Sequence, residues 1–317
     1  MLFRLRVEEL IALVFLAPTT YLTFVAQRYA EDNALLGARF PGGVLRLGCA
    51  VGFLLALALA MRLAPRARWV HGLREFVPFL ACILIYTNLH DTIGFVNPHD
   101  VHRWLDGVDR AWFGVSPCLW AERFITPART EVMSLCYASF FAIAPAVPLL
   151  LLVSGRRQEF RQALLGIVTC FYLGYALYVA LPAAPPRLYL AHQFRLQLKG
   201  YPNLLYSLSE RTLALLPADS RAAFPSLHAA VSLLALFYAW RYLRPWLFLL
   251  VPCAISLWIS TIYLRHHYFV DLVAGWLLAP AAMWLAPRLE RWWIRVGERR
   301  GVHAPGLSDF SSSTFTT

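Results

Sequence analysis

Two histidines, an aspartate and an arginine have the types and spacings that suit chemistry on a phosphate. In S-T-I-Y-L-R-H-H-Y-F-V-D-L, from Ser260 to Leu272, His267 and Asp271 stand four residues apart. On a helix that spacing puts both on one face. A carboxylate that accepts the proton on one imidazole nitrogen fixes the tautomer and leaves the other nitrogen free to attack. The same pair also fits a plain tether between helix ends. H-x-x-x-D can ligate zinc, but no third ligand of suitable spacing accompanies it, so neither a metal nor another cofactor is expected. His266 would point about 100° away around the helix and reads as a wall residue. In A-F-P-S-L-H-A, from Ala223 to Ala229, Pro225 suits the first turn of a helix and Ser226 lies beside it. A helix N-terminus there offers N–H groups to phosphate oxygens, Ser226 adds a hydroxyl, and His228 can serve as general acid. A capping serine and a headgroup-anchored histidine are the plainer alternative. In L-P-A-A-P-P-R-L-Y, from Leu181 to Tyr189, two prolines stiffen the chain before Arg187. That arginine suits bidentate phosphate binding, or pairing with lipid headgroups.

The elements that must position these residues are apolar helices. Of 317 residues, 59% are hydrophobic and 15% charged. A soluble domain carries about 45–50% and about 25%. Lipid is therefore the main solvent, and the chain reads as an all-α, polytopic transmembrane bundle. Eight apolar stretches fit spans, at roughly 8–26, 45–63, 76–95, 132–153, 162–181, 227–243, 246–264 and 268–287. The third is the weakest, because its apolar core ends near Leu89. The stretch from Leu10 to Val25 follows Glu8 and Glu9, where a signal peptide is usually basic, so it reads as an uncleaved first span. Net charge is +11, with one lysine, Lys199, among 29 basic residues. Nucleic-acid proteins can be as basic. Here the arginines cluster in short segments between apolar runs, which is a membrane pattern and speaks against a nucleic-acid partner. The six cysteines show no C-x-x-C spacing, so neither a zinc site nor a redox pair is supported.

Helix parity then brings the motifs together. Arginine density in segments 1–7, 64–75, 154–161, 242–245 and 288–317 assigns both termini to the cytoplasm. The end of the fifth span, the start of the sixth and the junction of the last two fall on the opposite, extracytoplasmic face. Arg187, Ser226, His228, His267 and Asp271 can meet there in one interfacial pocket. Segment 96–131 mixes charges with Trp104, Trp112, Phe113 and Trp120, as interfacial helices do. Segment 182–224 reads as a long polar connection, and 301–317 as a disordered tail. No repeat or second domain is visible, so residues 1–317 are expected to form one integral membrane domain.

These motifs resemble those of the type-2 phosphatidic acid phosphatase superfamily. A-F-P-S-L-H-A and Y-L-R-H-H-Y-F-V-D-L look most like its inositol-phosphorylceramide synthase branch, and P-P-R-L-Y is similar to that branch's first motif. The resemblance covers about residues 170–285, the expected catalytic core. Upstream, W-L-D-G-V-D-R-A-W-F-G, Trp104 to Gly114, is similar less specifically. The resemblance implies a helical core with a vanadium-haloperoxidase-like site. His267 would be the nucleophile that forms a phosphohistidine, and Asp271 would orient it. His228 would protonate the leaving alkoxide, while Arg187 and Ser226 would hold the phosphoryl oxygens. The chain departs from the phosphatase pattern. No lysine precedes Arg187 at the expected place, Leu227 replaces a glycine, and Thr261 replaces an arginine, so Arg265 is the substitute phosphate-binding charge. These departures favour a transferase over a simple phosphatase. The expected partners are the bilayer, a membrane lipid substrate, and an alcohol or water acceptor. Hydrolysis of a lipid phosphate or polyprenyl pyrophosphate is the second expectation. An inactive transporter or structural membrane protein is the third.

Overall fold

The computed structural model describes residues 5–32, 43–63, 68–213 and 221–301. Among the described residues the chain is helical, without a strand, and with one isolated parallel bridge between Ala183 and Ala222. The helices are α1 Val7–Asp32, α2 Gly43–Leu63, α3 Arg68–Val96, α4 His102–Phe113, α5 Pro117–Ala121 and α6 Pro127–Ala138. They continue with α7 Phe140–Val153, α8 Arg157–Ala180, α9 Pro186–Tyr189, α10 Leu205–Leu213, α11 Leu227–Tyr242, α12 Leu247–Tyr263 and α13 Phe269–Arg299. The tail expected to be disordered lies, apart from Gly301, outside the described residues.

Five stretches are long and apolar enough to cross a membrane: Val7–Val25, Pro127–Val153, Arg157–Ala180, Arg244–Tyr263 and Phe269–Arg299. This is a multi-pass membrane protein. Two of the other expected spans lie on α2, with 21 residues, and α3, with 29, which carry the shorter apolar runs Gly43–Leu57 and Glu75–Leu89 among the described residues; the third lies on α11, with 16 residues. At about 1.5 Å per residue, 16 residues reach about 24 Å, less than the ~30 Å hydrocarbon core.

Helix α8 is the central post. Its sequence is apolar nearly all round, and a helix of that kind has to be surrounded. Ile167 and Val168 of α8 share a core with Ile85 of α3, Val147 and Leu151 of α7, Val231 and Leu234 of α11, and Ala282 of α13. The outer faces are apolar too: Phe248, Leu63 and Phe141 are 93%, 76% and 72% exposed. Water opposes a surface of that kind, and lipid accepts it. At one end α1 is held by ion pairs. Arg161 of α8 donates to both oxygens of Glu8 at 2.9 and 3.0 Å, each side chain 1% exposed. Arg6 makes a two-pronged pair with Glu75 at 2.7 and 2.8 Å.

Three local expectations change. Segment 182–224 has structure of its own, in α9, α10 and the bridge at Ala183. Pro225 lies outside α11, because Ser226 is the N-cap and Leu227 opens the helix. His267 is not on a helix, since α13 starts at Phe269 with Tyr268 as N-cap. The reason lies at Arg265, which adopts φ 65° after the end of α12. Its N–H bonds Ile262 O at 3.0 Å and that of His266 bonds Thr261 O at 2.8 Å. This is a Schellman ending, usually built on glycine, so the side chains gave no warning of it.

Candidate active site

The three motifs are joined to one another by backbone hydrogen bonds. The first meets the second where Ala183 N donates to Arg221 O at 2.9 Å and Ala223 N to Ala183 O at 3.1 Å. The second meets the third where Ser226 N donates to Asp271 O at 3.0 Å. The third meets the first where Arg187 N donates to Arg265 O at 2.9 Å and Tyr268 Oη to Ala184 O at 3.2 Å. Parity had placed the motifs on one face. These bonds place them within contact of each other.

His267 is 4% exposed. Its Nδ1 lies 2.9 Å from Ala223 O and 3.3 Å from Asp271 Oδ2. Both are acceptors, so Nδ1 carries a proton, and in the neutral ring Nε2 keeps its lone pair. Nε2 faces His228 Nδ1 at 3.1 Å. With His267 neutral, His228 donates from Nδ1–H to Nε2. Asp271 also accepts Tyr268 N at 2.9 Å through Oδ2, which closes the first turn of α13 around the imidazole. The i, i+4 contact thus survives although only Asp271 is helical.

The remaining predicted residues divide. Arg187 sits in α9 with its Nε buried and without a hydrogen-bond partner among the described residues. Ser226 is fully buried, and its Oγ accepts from Ala229 N at 3.3 Å, which is the capping geometry. Arg265 is engaged on the 194–196 loop. Its Nη2 donates to Leu196 O at 2.6 Å, its guanidinium lies 3.6 Å over the Phe194 ring, and Glu122 is 3.9 Å away. Burial lowers the Arg265 pKa, with Glu122 acting against it. His266 stacks on Tyr137 at 4.5 Å. Burial, reinforced by Arg187, His228 and His267, holds it well below the usual histidine pKa, which suits an uncharged wall.

Sequence reasoning missed several neighbours. Tyr137 and Phe140 flank the His228 ring at 4.8 and 4.5 Å between centroids. Nothing distinguishes them in the sequence from other aromatic residues of an apolar helix. Cys118 Sγ donates to His267 O at 3.3 Å, and Asp109 accepts Phe269 N and Val270 N at 2.7 and 2.9 Å. The W-L-D-G-V-D-R-A-W-F-G segment was the only hint of the latter. A cavity of about 870 Å³ opens elsewhere, between α6, α12 and α13. Trp120, Phe124, Trp258 and Trp276 line it, and neither His228 nor His267 does. Apart from Arg129 and Tyr263 the lining is apolar or aromatic, and it suits hydrocarbon.

Fold and site together define a helical membrane protein with a paired-histidine centre ordered by a buried carboxylate. The family model described as PAP2 superfamily matches residues 103–285, more than half of the chain. The chain belongs to the PAP2 superfamily. Within it the likeness is to inositol phosphorylceramide synthases. One from Candida albicans is 48% identical over 58 residues, 18% of this chain and 12% of that protein. The synthase catalytic subunit of Saccharomyces cerevisiae is 50% identical over 60 residues, 18% of this chain and 14% of its own. A PA-phosphatase related-family protein of Dictyostelium discoideum is 23% identical over 194 residues, 54% of this chain and 34% of that protein. The matched segments thus span about a third or less of these relatives. No solved structure gives a significant match.

Proposed function

We propose that the protein is an integral-membrane lipid phosphotransferase that works through a phosphohistidine on His267. The observation that carries this reading is the ordered imidazole: Nδ1 is committed to Ala223 O and Asp271, so in the neutral ring the lone pair sits on Nε2. Arg187 supports it, because a buried guanidinium Nε–H without a partner suits an anion. A phosphorylated headgroup on a donor lipid enters between His267 and His228 and displaces their 3.1 Å contact. Nε2 attacks phosphorus, and the bond to the leaving lipid alkoxide breaks. His228, entering the step as an imidazolium beside the anionic phosphate, gives its Nδ1 proton to that alkoxide and is left neutral. In the second half an acceptor alcohol attacks phosphorus, His228 takes its proton, and the N–P bond breaks. Arg187 offsets the charge on the phosphoryl oxygens. Ser226, in the second motif, caps α11 two residues before His228.

The resemblance to the two synthases favours an alcohol, lipid or polyol, as acceptor. The Dictyostelium relative favours a second reading, with water as acceptor. Purified protein given labelled phospholipid, with and without candidate alcohols, separates them. A new phosphodiester means transfer, and release of phosphate or phosphorylated headgroup alone means hydrolysis. His267→Ala should abolish turnover with membrane insertion intact, and retained turnover would remove His267 as the nucleophile. We place the site at the extracytoplasmic face of the cell membrane, with both termini inside. A cysteine introduced at the exposed Lys199 should react with an impermeant label from outside, and labelling only after permeabilisation would reverse the orientation.

A further inference from the structure

His267 and Asp271 lie on either side of the point where α13 begins, so their contact depends on how that helix end is held. A helix opens with orphan N–H groups that need acceptors. At α13 two carboxylates divide the work. Asp271 Oδ2 takes Tyr268 N at 2.9 Å, while Asp109 takes Phe269 N on Oδ2 at 2.7 Å and Val270 N on Oδ1 at 2.9 Å. Asp109 comes from α4, 160 residues earlier in the chain than Phe269, and is fully buried. Burial raises its pKa, and the two amides pull it back. The grip continues into α5, where Cys118 donates to His267 O at 3.3 Å. The Phe113 ring meets the Phe269 ring edge-on at 5.0 Å. The segment from His102 to Ala121 thus holds the backbone on both sides of the imidazole. Without Asp109, the amides of Phe269 and Val270 would have Asp271 as the nearest carboxylate on their own helix. Drawing Asp271 toward them would take it from His267 Nδ1.

We propose that Asp109 is a positioning residue for His267: it satisfies the start of α13 and so leaves Asp271 free to orient the imidazole. This rests on His267 being the nucleophile, and it adds the interfacial helix α4 to the site. Asp109→Asn keeps the shape and one acceptor oxygen, whereas Asp109→Ala keeps neither. Asp106 is the control, because it lies on the same helix and bonds Arg110 at 2.6 Å. The full chain in nanodiscs is assayed for kcat, KM, single-turnover labelling of His267 and thermal midpoint. A displacement of about 1 Å at a reacting atom costs on the order of 100-fold. Asp109→Asn should therefore lower kcat and the labelling rate about 10- to 100-fold with KM within about twofold, and Asp109→Ala should lower them further. Asp106→Asn should stay within about twofold of the native chain. Native kcat in Asp109→Asn, whatever its thermal midpoint, overturns the proposal, as does an equal loss in Asp106→Asn. Should the Asp109 variants not fold, Cys118 decides. Cys118→Ala should slow labelling several-fold and Cys118→Ser, which keeps a donor, should restore it; native labelling in Cys118→Ala overturns the proposal. His267→Ala run in parallel separates failure of this inference from failure of the nucleophile assignment.

Discussion

Gly275→Ala tests whether helix contact sets the geometry of the histidine pair. Gly275 lies on α13 one turn beyond Asp271 and faces the N-terminal end of α11. A Cβ there would run into Ser226 O and stand 3.0 Å from Ala229 Cβ and 3.2 Å from Ala230 N. None of these is the tip of a flexible side chain, so the two helices have to part. In an open helix the change would gain about 0.5–1 kcal/mol, by propensity alone. Overpacking costs about 1–3 kcal/mol, so the packing effect wins and net stability falls by about 0–2.5 kcal/mol. The site should suffer more. Ser226 N bonds Asp271 O at 3.0 Å and His228 Nδ1 sits 3.1 Å from His267 Nε2. Parting the helices by about 1 Å takes both beyond hydrogen-bond range, and such a shift costs on the order of 100-fold in kcat. The assay is turnover of labelled phospholipid by the full chain, with the thermal midpoint read in the same preparation. Gly52→Ala on α2, where nothing among the described residues lies within 4 Å of the added carbon, is the neutral control. Unchanged kcat with an unchanged or higher midpoint in Gly275→Ala would refute the reasoning.

Three other variants probe separate links. Asp271→Asn retains an acceptor for Tyr268 N but loses the charge that supports the imidazole, so kcat should fall by orders of magnitude and remain measurable; the complete loss expected of His267→Ala would mean a different role. His228→Ala should slow substrates in proportion to the basicity of the leaving alkoxide, and an equal loss for good and poor leaving groups would count against the acid role. Glu8→Gln leaves the Arg161 guanidinium, 1% exposed, facing a neutral partner, with Glu290 3.9 Å away. Breaking a buried pair costs about 3–5 kcal/mol, so the thermal midpoint should drop with kcat per folded molecule unchanged; a stable but slow enzyme would tie this pair to turnover.

The chain alone determined the solvent, the helical class and the three motifs. Lipid leaves only helices and closed barrels to satisfy backbone groups, and continuous apolar runs of about 20 residues select the helix. Parity followed from counting spans, and it sent Arg187, Ser226, His228, His267 and Asp271 to one end of the bundle. The i, i+4 spacing of His267 and Asp271 gave the right contact for an incomplete reason, because the local backbone there is a cap and not a helix. Other features were decided only by the fold. The left-handed turn at Arg265 has no glycine to announce it, and the turn places that side chain over Phe194. Asp109 read as one charge among several in an interfacial segment, until folding set it against α13. Ser226 and Arg187 read alike as phosphate ligands, yet one emerges as a buried cap and the other with an unpaired Nε–H. Periodicity and spacing report interactions within a few residues. Which distant acceptor satisfies a given N–H is settled by how whole helices pack, and that information is spread over the entire chain.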